Sequence, residues 1–132
     1  MKLEFLDDLT DGDKYINVVS ERMIRLYDFD KYQALSLKEV IEKELLGRQK
    51  EISLSSLDFV EALNCNLTLK LSSIDRGITT AENRHFECYL TGAAYKKMTD
   101  LIEPFCNEAE GYQWLYEINC PVDLLFSPGG TW

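Results

Sequence analysis

Beyond Lys97 the sequence has no lysine or arginine, although 35 residues follow it. It has a single histidine, His85, and its four cysteines come no closer together than 14 positions. No apolar run approaches the ~20 residues that a membrane-spanning helix needs. The opening Met1-Lys2-Leu3-Glu4-Phe5-Leu6-Asp7-Asp8 lacks the apolar core of a signal peptide. Also missing are G-x-G-x-x-G, G-x-x-x-x-G-K-[ST] and G-x-S-x-G.

Each absence removes a class of function. One histidine is too few for most zinc hydrolase sites and for paired-histidine transfer chemistry. Without the glycine-rich loops, nucleotide phosphates and a serine nucleophile lose their usual cradles. Gly129-Gly130 has no helix after it to hold a phosphate and reads as a terminal turn. Cys65, Cys88, Cys106 and Cys120 contain no C-x-x-C pair and have no secretory context, so they read as reduced, mostly buried thiols. The expected location is cytoplasmic, with no membrane association. Asn66-Leu67-Thr68 fits a glycosylation sequon but falls inside an alternating strand, where it reads as chance.

What the chain has in excess is acid. Its formal charge of −9 comes from 23 acids against 14 bases. Six acids follow Lys97 (Asp100, Glu103, Glu108, Glu110, Glu117, Asp123), and five more (Glu4, Asp7, Asp8, Asp11, Asp13) stand in the first thirteen residues. Such a field repels nucleic acid and anionic lipid and attracts a basic protein partner. Both tryptophans, Trp114 and Trp132, lie in the same stretch.

Hydrophobic patterning predicts the elements. Strands are expected at Leu3–Phe5 and Tyr15–Val19, joined through Asp11-Gly12, and at Met23–Phe29, where Ile24 and Leu26 share one face and Met23, Tyr27 and Phe29 the other. A helix starts at Asp30 or Ser36, both with capping-box spacing, carries Leu37, Val40, Ile41 and Leu45 as its stripe, and stops at Gly47. Strand alternation follows at Ile52–Leu54, Leu67–Leu71 and Phe86–Leu90, with a turn at Asp75-Arg76-Gly77 and a polar loop over 79–84. A second helix is capped by Thr91, carries Ala94, Tyr95, Met98, Leu101 and Ile102, and ends before Pro104. Strands at 112–118 and 122–126 complete the reading. Strand-strand-helix-strand thus occurs twice, over 15–57 and 67–118. The expectation is one α+β domain over 1–132, a mainly antiparallel sheet of six to eight strands with two helices packed on it.

Chemistry-bearing clusters are few. Three residues apart in a strand, His85 and Cys88 face opposite sides, which disfavours a local dyad. Asp7, Asp8, Asp11 and Asp13 have the wrong order for an EF-hand and read as a solvated hairpin tip. Asp28 and Asp30 read as a strand end and a helix cap rather than as paired catalytic carboxylates. Tyr112, Trp114 and Tyr116 alternate on one face of the 112–118 strand. That face is either core or an aromatic patch rimmed by Glu108, Glu110 and Glu117, which Tyr27, Phe29 and Tyr89 would extend. The sequence therefore reads as a non-catalytic acidic protein-binding domain of inhibitor, immunity or adaptor type. Its partner surface is Glu108, Glu110, Tyr112, Trp114, Tyr116 and Glu117, with no catalytic residue, metal or cofactor. A small ligand-binding domain or enzyme with a pocket between sheet and helices is the alternative, and a self-associating homodimer the third reading.

Overall fold

The computed structural model describes residues 1–7, 22–79 and 82–132. Along the chain run β1 (Lys2–Asp7), β2 (Arg22–Tyr27), α1 (Lys31–Val40), β3 (Ile52–Ser53), β4 (Glu61–Ala62), β5 (Asn66–Leu71), β6 (Gly77–Thr79), β7 (His85–Leu90), α2 (Gly92–Ile102), β8 (Gln113–Trp114) and β9 (Asp123–Phe126). The chain is α+β, with two α-helices among the described residues, but the expected single, mainly antiparallel sheet is replaced by two mixed ones. The first has the order β4-β1-β2-β9-β8 and the second β3-β5-β7-β6. In the first, β1–β2 and β8–β9 are antiparallel, and β1–β4 and β2–β9 parallel. In the second, β5–β7 is parallel between antiparallel neighbours β3 and β6. Parallel neighbours here are strands that are not consecutive in the chain (β1–β4, β2–β9, β5–β7), a long-range pairing that pattern reading along one strand cannot reveal. The expected turn at Asp11-Gly12 and strand at Tyr15–Val19 lie outside the described residues.

Twice along the chain an antiparallel strand pair precedes an α-helix, and each time the strand after the helix joins the other sheet. After β1–β2 and α1, β3 pairs with β5 of the second sheet; after β6–β7 and α2, β8 pairs with β9 of the first. A bridge between Ile78 and Val122 ties the sheets together. At this seam the Tyr116 hydroxyl accepts from the Ile78 N–H at 3.2 Å and donates to the Val122 carbonyl. Tyr95 of α2 does similar work within the second sheet: its hydroxyl accepts from the Lys70 N–H at 3.0 Å and lies 2.8 Å from the Lys70 and Cys88 carbonyls.

Alternation puts Leu3, Phe5, Ile24, Leu26, Leu124, Phe126, Leu67, Leu69, Phe86, Cys88 and Leu90 into one buried cluster with the helices' inner faces. Of the two starts that the sequence offers α1, Asp30 is used. Its carboxylate accepts from the Gln33 N–H at 2.9 Å while the Gln33 side chain accepts from the Asp30 N–H. Ser36 sits inside the helix and donates to the Tyr32 carbonyl. Ala34, Leu37, Ile41 and Leu45 are buried, the last two in a π-helical turn, Ile41–Gly47, that extends α1. Thr91 caps α2 as expected, accepting from the Ala94 N–H at 3.2 Å, and a 3-10 turn, Glu103–Cys106, follows the helix. Phe29 departs from the strand reading. Asp28 has φ 52°, which ends β2 and turns the Phe29 ring inward to stack on Phe126 at 4.2 Å.

The outer face of the first sheet is covered by the chain's own last residues. The Ser127 N–H donates to the Leu26 carbonyl, the Asp28 N–H to the Pro128 carbonyl, and Arg25 Nη1 to the Gly130 carbonyl at 2.8 Å. Arg25 also pairs with Glu4 and lies 3.9 Å over the Tyr27 ring. Trp132 thereby joins Met23, Leu125, Leu6 and Trp114 in a second, smaller apolar cluster.

Candidate functional site

The segment after α2 does not continue as a seven-residue strand. Only Gln113–Trp114 pair, and the backbone bends at Leu115, so period-two alternation fails and the three aromatics part company. Tyr112 is 50 % exposed, Trp114 is half-buried in the outer cluster 6.3 Å from Trp132, and Tyr116 is a core residue at the sheet seam. Burial pushes the Tyr116 phenol well above its ordinary range, so it stays a neutral donor. Tyr27 lies under Arg25, Phe29 is core, and Tyr89 bonds Glu87 beside Lys70 on the second sheet. None of these three extends the 112–118 surface.

Residues 113–118 instead form one wall of a groove whose other wall is α2. It has a volume of about 370 Å³ and is lined by Ala93, Ala94 and Leu101 on the helix, by Trp114, Leu115, Tyr116 and Ile118 opposite, and by the polar Gln113, Glu117, Lys97, Thr91 and Asp75. Small residues in the first turn of α2 give it depth. Asp75 is fixed because its carboxylate accepts from the Thr91 N–H at 2.8 Å, docking the turn after β5 onto the helix start. Next to it Ile74 is 55 % exposed, a large apolar side chain in solvent at the same end. Sequence reading named Trp114, Tyr116 and Glu117 but missed Asp75, Ala93, Lys97, Leu101 and Ile118 as a group. The adjacent alanines opening α2 were the one local signal, and only the packing of the 113–118 segment gives them meaning.

Ion pairing redraws the charge map. Of the six acids after Lys97, Asp100 pairs with Lys96 at 3.2 Å and Glu103 with Lys38 at 3.2 Å. Glu108, Glu110 and Glu117 are exposed and form no ion pair among the described residues, and neither do Lys97 and the half-buried Asp123 in β9. Lys38, held between Glu42 and Glu103, has its pKa raised by hydrogen bonds to those two carboxylates. The net acidity of this region therefore concentrates on the segment leading into the groove.

The other candidate groups are dispersed. His85 is exposed at the start of β7 and Cys88 is fully buried. Desolvation pushes the Cys88 thiol up to about 12 and the Cys65 thiol up to about 11, which keeps both protonated at neutral pH. Asp28 pairs with Lys2 at 3.3 Å, and Asp30 caps α1. Asp7 ends β1, while Asp8, Asp11 and Asp13 lie outside the described residues. Among the described residues no three His, Cys, Asp or Glu side chains gather as a metal site. No described helix is long and apolar enough to cross a membrane. No protein-family model, curated protein or solved structure matches the chain, so its functional reading rests on the residues of this groove and its acidic approach.

Proposed function

We propose that the protein is a single, non-catalytic, cytoplasmic α+β domain that binds a basic protein, in the manner of an inhibitor, an immunity protein or an adaptor. The observation that carries this reading is the run of unpaired, exposed carboxylates Glu108, Glu110 and Glu117 around the half-exposed Tyr112 and the groove-lining Trp114. Asp100 and Glu103 are neutralised by Lys96 and Lys38, whereas these three carboxylates keep their charge uncompensated. Left free beside aromatic surface, they supply the polar rim and steering field of an interface. Tyr116 contributes from below, as the buried post that fixes the segment.

The test is capture from the native host with the wild-type chain and with the E108K/E110K/E117K variant. Exposed charges contribute little to folding, so the melting temperature of the variant stays within ~2 °C of wild type. Its association with the captured basic partner slows, and the salt dependence seen with wild type flattens. Unchanged, equally salt-sensitive capture by the variant sinks the reading.

A second reading, a small-ligand site, rests on the groove itself, which falls within the usual ~300–1,000 Å³ of such sites and carries groups of both signs. A metabolite that stabilises the isolated chain in a thermal-shift screen would favour it. Homodimerisation, the third reading, is tested by sedimentation over a wide concentration range.

A further inference from the structure

We infer that the groove between α2 and residues 113–118 is the partner's anchor site, taking an apolar side chain flanked by an arginine or lysine. This rests on the protein-binding reading and says where, and by what chemistry, the partner is held.

A groove of about 370 Å³ admits side chains of a partner segment. Its walls give those side chains apolar contact on both sides, from Ala93, Ala94 and Leu101 and from Trp114, Leu115 and Ile118. A wide apolar slot with a tryptophan on one wall is where interfaces concentrate their binding energy.

Charge decides the flanking residues. Two carboxylates, Asp75 and Glu117, line the groove against one ammonium, Lys97. One Asp75 oxygen is engaged by the Thr91 N–H, which leaves the other free to accept from a guanidinium or ammonium. Glu117 makes no ion pair among the described residues, and the unpaired Glu108 and Glu110 lie on the approach to the same wall. Lys97 projects from the helix wall and repels a cation there. The partner's cation is thus placed against Glu117 or Asp75, and its apolar neighbour against Trp114.

The probes are peptides selected from a random display library on the 132-residue chain, then synthesised and titrated against it by tryptophan fluorescence. Enriched sequences are expected to place a large apolar residue within two positions of an arginine or lysine. K97E, which removes an exposed cation without breaking an ion pair, should tighten those peptides about threefold or more, and E117K should weaken them about tenfold. A93W, which puts an indole into the groove from an exposed position, should abolish binding. Should A93W fold poorly, the opposite signs of K97E and E117K decide alone. No enrichment, enrichment of acidic sequences, or charge variants that shift affinity in the same direction would overturn the inference. The two proposals fail separately. If the captured native partner binds folded A93W at full strength but remains sensitive to E108K/E110K/E117K, the acidic surface stands and the groove is not its anchor.

Discussion

Replacing Tyr116 by Phe isolates one oxygen atom at the junction of the two sheets. The ring stays, so no side-chain cavity opens, and what is lost is the hydroxyl's bonds to the Ile78 N–H, the Val122 carbonyl and the Cys120 thiol 3.4 Å away. Val122 keeps a partner, because the Cys120 thiol lies 3.1 Å from the same carbonyl. Ile78 does not, and it is fully buried. A net hydrogen bond is worth about 1 kcal/mol, and a buried donor left unpaired costs ~1–3 kcal/mol, so the expected destabilisation is about 2–3 kcal/mol. For a chain of 132 residues that corresponds to a fall of roughly 8–12 °C in melting temperature. Urea unfolding gives the free energy, and amide hydrogen exchange gives the location: Ile78 should lose protection first. Y112F serves as the control, since Tyr112 is half-exposed and its loss of a hydroxyl should change stability by less than ~0.5 kcal/mol. If Y116F is as stable as Y112F, or if Ile78 exchanges at the wild-type rate, the hydroxyl does not hold the seam.

Two further outcomes are expected. Gly130 has φ 78°, and a Cβ there would lie 2.9 Å from Arg25 Nη1 and 3.2 Å from the Tyr27 ring. G130A should therefore lift residues 127–132 from the sheet at a cost of ~1–2 kcal/mol, seen as a red shift of tryptophan emission and weakened near-ultraviolet circular dichroism. Thiol labelling at pH 8 should be ordered. Half-exposed Cys106 or Cys120 reacts first, while Cys88, buried and pushed up to about 12, is modified no faster than the chain unfolds, as peptide mass spectrometry would show.

The sequence was most informative where structure is local. Asp30 with Gln33, and Thr91 before Gly92, mark helix starts through side chain to backbone bonds spanning three residues, and both are present. The alternation of Leu67, Leu69 and Phe86, Cys88, Leu90 identifies β5 and β7, because one face of each is buried. What eluded it depends on residues far apart. β4 and β6 are two and three residues long and exist through their neighbours rather than their own pattern, and of the strand expected at 112–118 only Gln113–Trp114 forms. Two sheets in place of one follow from where the helices deliver the next strand. At the site, Glu108, Glu110 and Glu117 were legible as a run without counter-ions. The splitting of Tyr112, Trp114 and Tyr116 was not, since it turns on a bend at Leu115 and on tertiary positions for each ring. Ser127-Pro128-Gly129-Gly130 read as a break, but the turn it makes carries Trp132 back onto the sheet.

The exchange of strands between the two hairpin-helix units constrains how the molecule is made. β9 is an inner strand of the first sheet, beside β2, and pairs Leu124 with Ile24 a hundred residues earlier. A ribosome that has released β1, β2 and α1 has therefore produced a hairpin whose inner neighbour does not yet exist, and β3 waits likewise for β5. The second sheet has all its strands once Leu90 is made, but the first lacks its inner strand until synthesis passes β9, so vectorial folding of the first sheet is suppressed. Fragments severed between β4 and β5 should each be poorly structured alone and recover the native fold only when mixed.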